Sequence, residues 1–149
     1  MLKALRRFAG FCLCITLCFG LLTPATSHAA TIKPDDMAVI RRQASAFMDT
    51  ESRLPELAQL VSDDNWTFTR NLIHGPMQEV GREMLYINQR LGRNERKQAD
   101  KLARALKAAL ADLDEAARLQ DKGRMQKAYS AVAAGFDAYA DVIPAEARS

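Results

Sequence analysis

The sequence predicts an all-α protein whose helices pack as an antiparallel up-down-up-down four-helix bundle. Three observations predict it. Apolar residues recur at three- and four-residue spacing through four segments after residue 30, the spacing that gathers side chains on one face of a helix. Strand signals are missing: there is no sustained two-residue alternation and no Asn-Gly or Asp-Gly hairpin turn. The connections are short, which makes consecutive helices neighbours that run in opposite directions.

Residues 1–29 read as a secretory signal peptide. Lys3, Arg6 and Arg7 precede an apolar run from Phe8 to Leu22, and Thr23-Pro24-Ala25-Thr26-Ser27-His28-Ala29-Ala30 supplies small residues before a cut after Ala29 or Ala30. The run is short for a membrane span. Cys12, Cys14 and Cys18 all lie inside it, so the mature chain carries no thiol for a disulfide or a metal. Lipid attachment would fall on Cys18, but Leu17 and Phe19 flank it where a lipoprotein signal favours small residues. What remains, residues 30–149, is about 120 residues, enough for one domain with a single core. Lys3, Arg6 and Arg7 account for the whole formal charge of +3, so the mature charges balance and carry no nucleic-acid footprint.

In the first helical segment Met37, Ile40, Ala44, Phe47 and Leu54 keep the helical spacing, interrupted at Glu51, after a start at Pro34-Asp35-Asp36 that suits a helix N-terminus. Pro55 breaks or kinks it, with Pro55 to Val61 continuing as a separate short helix. The second segment places Trp66, Ile73, Val80 and Ile87 on one seven-residue series and Met77, Met84 and Leu91 on another, the seam of a helix packed lengthwise on its neighbours. Asp63, Asp64 and Asn65 are its capping candidates and Gly92 its stop. The third, capped at Asn94, sets Ala99, Leu106 and Leu113 against Leu102, Ala109 and Ala116, small residues that admit a neighbouring helix closely. The fourth sets Met125, Val132 and Tyr139 against Tyr129, Phe136 and Ile143, between an Asp121-Lys122-Gly123 turn and a stop at Pro144.

Enzymatic chemistry is poorly served by these residues. Ser45, Ser52, Ser62, Ser130 and Ser149 have no evident base, and the mature chain has one histidine, His74. The acidic residues, among them Asp112, Asp114 and Glu115, read as solvated helix faces. No Glu-x-x-His pair exists for a di-iron site and no Cys-x-x-Cys-His for a c-type haem. No catalytic, cofactor or metal residue is therefore assigned. A b-type haem held by His74 and a methionine is the cofactor reading with most chemistry behind it, although His74 stands beside a helix break rather than on the core series.

Within Trp66-Thr67-Phe68-Thr69-Arg70-Asn71-Leu72-Ile73-His74-Gly75-Pro76, Trp66 and Ile73 belong to the seam, but Arg70, His74, Gly75 and Pro76 do not follow from bundle packing. Trp66 reads as a core anchor. Arg70 takes a seam position, its stem covering apolar surface while its head pairs with a carboxylate or meets a partner. Two readings stand for His74-Gly75-Pro76: a kink that lets the helix wrap its neighbours, or a break that frees the carbonyls near residues 71 and 72 and presents His74 to another protein.

Asn65-Trp66, Arg70-Asn71 and Ile73-His74-Gly75-Pro76, with Arg53-Leu54-Pro55-Glu56-Leu57 before them and Arg82-Glu83-Met84, Tyr86, Lys127-Ala128-Tyr129, Phe136 and Ile143-Pro144 after, resemble the PsbQ family in its cyanobacterial branch. The resemblance spans nearly the whole mature chain. It implies a four-helix bundle, peripheral to the thylakoid membrane, on the lumenal face of photosystem II near the manganese-stabilising extrinsic protein and the CP47 subunit. The implied role is non-enzymatic: support of the oxygen-evolving complex and retention of calcium and chloride. It makes Trp66, Arg70, Asn71, His74, Gly75, Pro76 and Arg82 the candidate residues for docking or for shaping the signature. Cyanobacterial members are often lipoproteins, and a signal ending in Ser-His-Ala-Ala departs from that pattern. The rival readings are a secreted b-type cytochrome and a periplasmic adaptor or stress bundle.

Overall fold

A computed structural model of the chain describes residues 32–148; the expected signal peptide and its three cysteines lie outside them. The described residues are helical with no strand. They form α1 (Pro34–Glu51), α2 (Leu54–Ser62), α3 (Trp66–His74), α4 (Val80–Asn88), α5 (Arg93–Arg118) and α6 (Lys122–Ala140), followed by a 3-10 turn at Ala145–Ala147. The first and second predicted segments are each divided in two.

Local chemistry accounts for the divisions. Pro34 and Pro55 both stand in the first turn of a helix, where the missing N–H has no partner to lose, so Pro55 starts α2 rather than bending α1. Asn65 caps α3, its side chain accepting the Phe68 N–H at 3.3 Å, while Asp64 before it takes a positive φ of 53°. Two caps differ from expectation. α5 starts after Gly92 with no side-chain cap, so Asn94 lies inside the helix, and Gly92 opens α5 rather than closing α4. Asp121 caps α6 by accepting the Arg124 N–H at 2.9 Å, and the turn before it is made by Gln120 at a φ of 56° rather than by Gly123.

The seam residues meet in one core. Ile40, Ala44, Phe47, Val80, Met84, Ile87, Leu106, Leu113, Met125, Val132, Phe136, Tyr139 and Ile143 are buried, each large side chain contributing about 1.5–3 kcal/mol by leaving water. Phe47 lies 5.3 Å from Phe136 and 5.0 Å from Tyr139 between ring centroids, tying α1 to α6. α5 and α6 share the most extensive contact, as a hairpin across a three-residue turn. Gly135 lets them close: a Cβ there would stand 3.1 Å from the Leu106 side chain.

α3 and α4 keep one register along α5 despite the break between them. His74 faces Asp114, Gly81 faces Lys107 and Asn88 faces Asp100, seven-residue steps up one strand of the pairing and down the other. Each of these residues directly follows a seam residue: Ile73, Val80 and Ile87 on one side, Leu113, Leu106 and Ala99 on the other. The pairs therefore flank the seam as the outer positions of an antiparallel coiled coil do.

Candidate functional site

The break itself is a compact turn. The Gly75 N–H donates to the Asn71 carbonyl at 2.9 Å, Pro76 supplies no N–H, and the Met77 N–H reaches back to Leu72 O at 3.2 Å. The carbonyls of residues 71 and 72 are thus occupied, not freed as the sequence suggested. Glycine is required at 75 by space: a Cβ there would stand 2.8 Å from Asn71 O, closer than real Cβ atoms come. Met77 is buried immediately after the turn, so the chain re-enters the core at once.

The residues before the break build a shallow groove of about 300 Å³ between α3 and the end of α5, with Trp66, Arg70, Asn71 and His74 on one side and Ala117, Arg118 and Gln120 on the other. Trp66 is half-buried: one part of its ring packs on the core and another lines the groove. The groove wall is ionic. Arg70 Nε donates to Asp114 Oδ1 at 2.9 Å, and His74 Nε2 lies 2.8 Å from the same oxygen. Arg118 makes a two-pronged pair with Glu115, at 2.7 Å for each nitrogen. The Glu115 carboxyl is held below its usual range by the hydrogen bond from Arg118 and by its charge, and by the more distant charges of Arg124 and Arg70.

The structure therefore gathers Trp66, Arg70, Asn71 and His74 into the groove and puts Gly75 and Pro76 at its end as the turn that positions them. Arg82 is elsewhere. It stands exposed on α4, in an ion pair with Glu79 one turn back. Asp114 was read as a solvated charge and is the residue on which both Arg70 and His74 converge.

A second polar constellation also escaped the sequence reading. Tyr139 is fully buried, and its hydroxyl donates to Asn88 Oδ1 at 2.6 Å and lies 3.0 Å from the Met84 carbonyl. Asn88 in turn donates to Asp100 Oδ1 at 2.8 Å, so one network ties α6, α4 and α5. Burial, with the Asp100 charge behind it, pushes the Tyr139 phenol far above its usual range and keeps it neutral. Among the described residues no group of three or more His, Cys, Asp or Glu side chains is placed to hold a metal ion, and no helix is long and apolar enough to cross a membrane.

Comparison with known proteins bears on the groove. The family model described as "PsbQ: Oxygen evolving enhancer protein 3" matches residues 28–144, a span that contains every groove residue. The chain belongs to the PsbQ family. It is similar to CyanoQ of Synechocystis sp., with 25% identity over 130 residues, 87% of this chain and 87% of that one. Within this PsbQ-family chain, Arg70 and His74 stand on the last turns of α3 before the break at Gly75-Pro76, and both meet Asp114 of α5. The groove offers a flat aromatic edge, cationic side chains and an amide at Asn71, all carried on helices.

Proposed function

We propose that this chain is a non-enzymatic extrinsic subunit of photosystem II, on the lumenal side of the thylakoid membrane, which supports assembly and stability of the oxygen-evolving complex. The observation that carries the proposal is the family match across residues 28–144, joined to a groove lined by Arg70 and His74, which bundle packing leaves unexplained. In this reading residues 1–29 export the chain, and residues 30–149 form one domain. α1 with α2, α3 with α4, α5 and α6 then serve as the four rods of an antiparallel up-down-up-down bundle. The unbroken register of α3 and α4 along α5 supports counting them as one rod.

The groove of Trp66, Arg70, Asn71 and His74 is the docking surface, with Gly75 and Pro76 as its positioning turn. Arg82, paired with Glu79 away from the groove, belongs to the helix surface instead. The partners are the manganese-stabilising extrinsic protein and the CP47 subunit, and attachment to the membrane is through the complex. Retention of calcium and chloride follows from shape: a rigid bundle wedged at a subunit boundary excludes water and slows ion escape without binding the ions itself. The tagged native chain is expected to co-purify with photosystem II. Recovery of the chain only as free protein in the lumen or periplasm would sink the proposal, as would a Soret band in the purified holoprotein, which is the mark of the cytochrome alternative.

A further inference from the structure

α5 distributes its charges against its own dipole. Its first half, residues 93–107, carries six cations, Arg93, Arg96, Lys97, Lys101, Arg104 and Lys107, against two carboxylates, Glu95 and Asp100. A helix N-terminus is the end that favours acidic residues. Its second half carries Asp112, Asp114 and Glu115 with one cation, Arg118.

The two halves also differ in how those charges are met. In the second half every one of them is paired within the chain: Asp112 with Arg124, Asp114 with Arg70 and His74, Glu115 with Arg118. In the first half Arg96 alone has a carboxylate, Asp100 at 3.8 Å. Among the described residues nothing pairs with Arg93, Lys97, Lys101, Arg104 or Lys107, all exposed. At about 100° per residue these five fall within a sector of roughly 120°, on the side away from the core and toward α4. Glu95 lies across the helix from them, in the hollow it shares with Met37 and Arg41. Arg93, Lys97 and Lys101 follow at four-residue spacing, where like charges repel. Nothing in the fold gains from this arrangement.

Beside these cations α4 exposes two large apolar side chains, Leu85 at 49% and Tyr86 at 41%. Leu85, Arg104 and Lys107 line a hollow of about 160 Å³ together with Gly81, Ala103 and the hydrogen-bonded pair Asn88 and Asp100. We propose that the face built by Leu85, Arg93, Lys97, Lys101, Arg104 and Lys107 is a second docking surface, whose partner is an acidic protein surface that seats an apolar side chain in the hollow beside Leu85. Charge complementarity names the partner, because a neutral mature chain that concentrates unpaired cations on one sector attracts carboxylates there. A protein fits better than an anionic membrane: the apolar face of α5, with Ala99, Ala103, Leu106 and Leu110, is buried in the core and has none left to insert into lipid.

This surface is separate from the groove at Trp66 and depends on the photosystem II reading only for its probe. The test is binding of the mature protein to photosystem II core complexes washed free of extrinsic subunits, at low and rising salt. The triple variant K97E/K101E/R104E is expected to bind at least tenfold more weakly at low salt and to lose most of the salt dependence. Arg42→Glu, the same reversal at an exposed and unpaired position on α1, is expected to bind as the native chain does. Equal binding by the triple variant and the native chain overturns the surface while leaving the functional reading intact. Tight binding of the native chain to vesicles one-third phosphatidylglycerol, with the same loss in the triple variant, also overturns it, in favour of lipid. If the native chain ignores the core complexes, the functional reading fails instead. Carbodiimide cross-linking of native membranes then decides the surface: adducts from Lys97, Lys101 or Lys107 to another protein's carboxylates uphold it, and adducts only from other lysines overturn it.

Discussion

Replacing Gly75 by Ala tests whether the helix break is a device of space rather than of flexibility. The new Cβ would stand 2.8 Å from the Asn71 carbonyl oxygen, which is backbone and holds the Gly75 N–H at 2.9 Å. Relief requires moving that carbonyl by several tenths of an ångström, which weakens a hydrogen bond worth about 1 kcal/mol. The accompanying strain at a packed site adds about 1–3 kcal/mol. Alanine also restricts the unfolded chain, which offsets about 0.4–1 kcal/mol. The net expectation is a loss of about 2 kcal/mol, or a melting temperature lower by roughly 6–10 °C for a domain of this size. Thermal unfolding followed by circular dichroism measures it. A melting temperature equal to or above that of the native chain refutes the steric argument and makes Gly75 a residue of mobility or of partner contact instead.

Other consequences are open to measurement. Tyr139→Phe leaves the buried Asn88 Oδ1 without its donor and is expected to cost about 1–3 kcal/mol in urea unfolding, with the rings of Phe47 and Phe136 still packed. His74→Ala removes a largely exposed contact to Asp114, so the melting temperature is expected to move by about 2–4 °C or less while affinity for photosystem II falls; the reverse pattern would make His74 structural. Glu83 is buried on α4 with Oε2 unpartnered, and its carboxyl is raised above 4.5 by burial first, then by Glu79 and Asp49, against the lowering pull of Arg82. Its folded form therefore holds a proton that the unfolded chain has released, so its contribution to stability is complete below pH 4.5 and is lost as pH rises through the raised value. Glu83→Gln is expected to flatten that fall and to stabilise the chain at neutral pH, read as urea midpoints between about pH 4 and pH 7.

Much of the fold was legible because burial follows a period. Ile73, Val80, Ile87, Leu106, Leu113, Val132 and Phe136 repeat at helical spacing, and spacing alone puts them on one face. Pro55 likewise declared a helix start. The caps were harder to read, since Asn94 and Asn65 are the same residue type and only the local turn makes one of them a cap. Arg70, His74, Gly75 and Pro76 stood out from the seam pattern, and Arg70 and His74 line the groove with Trp66, Thr67 and Asn71.

What the sequence could not assign is which charge meets which. Asp114 directly follows Leu113 as His74 follows Ile73, so the flanking positions were written in the two heptad series. Pairing them needs the register of α4 against α5, and that is set by how the turn between them closes, a matter of tertiary geometry. The same holds for Tyr139, whose position on the seam announces a core aromatic but not that Asn88 and Met84 wait for its hydroxyl. The sequence by itself determined that this chain is helical, where its helices break and which face of each is buried, because those properties depend on neighbours three and four residues apart. Only the tertiary structure decided that α3 and α4 run as one line along α5 and that Asp114 fastens both Arg70 and His74. It alone left five cations of α5 unpaired, because those outcomes depend on residues brought together from distant parts of the chain.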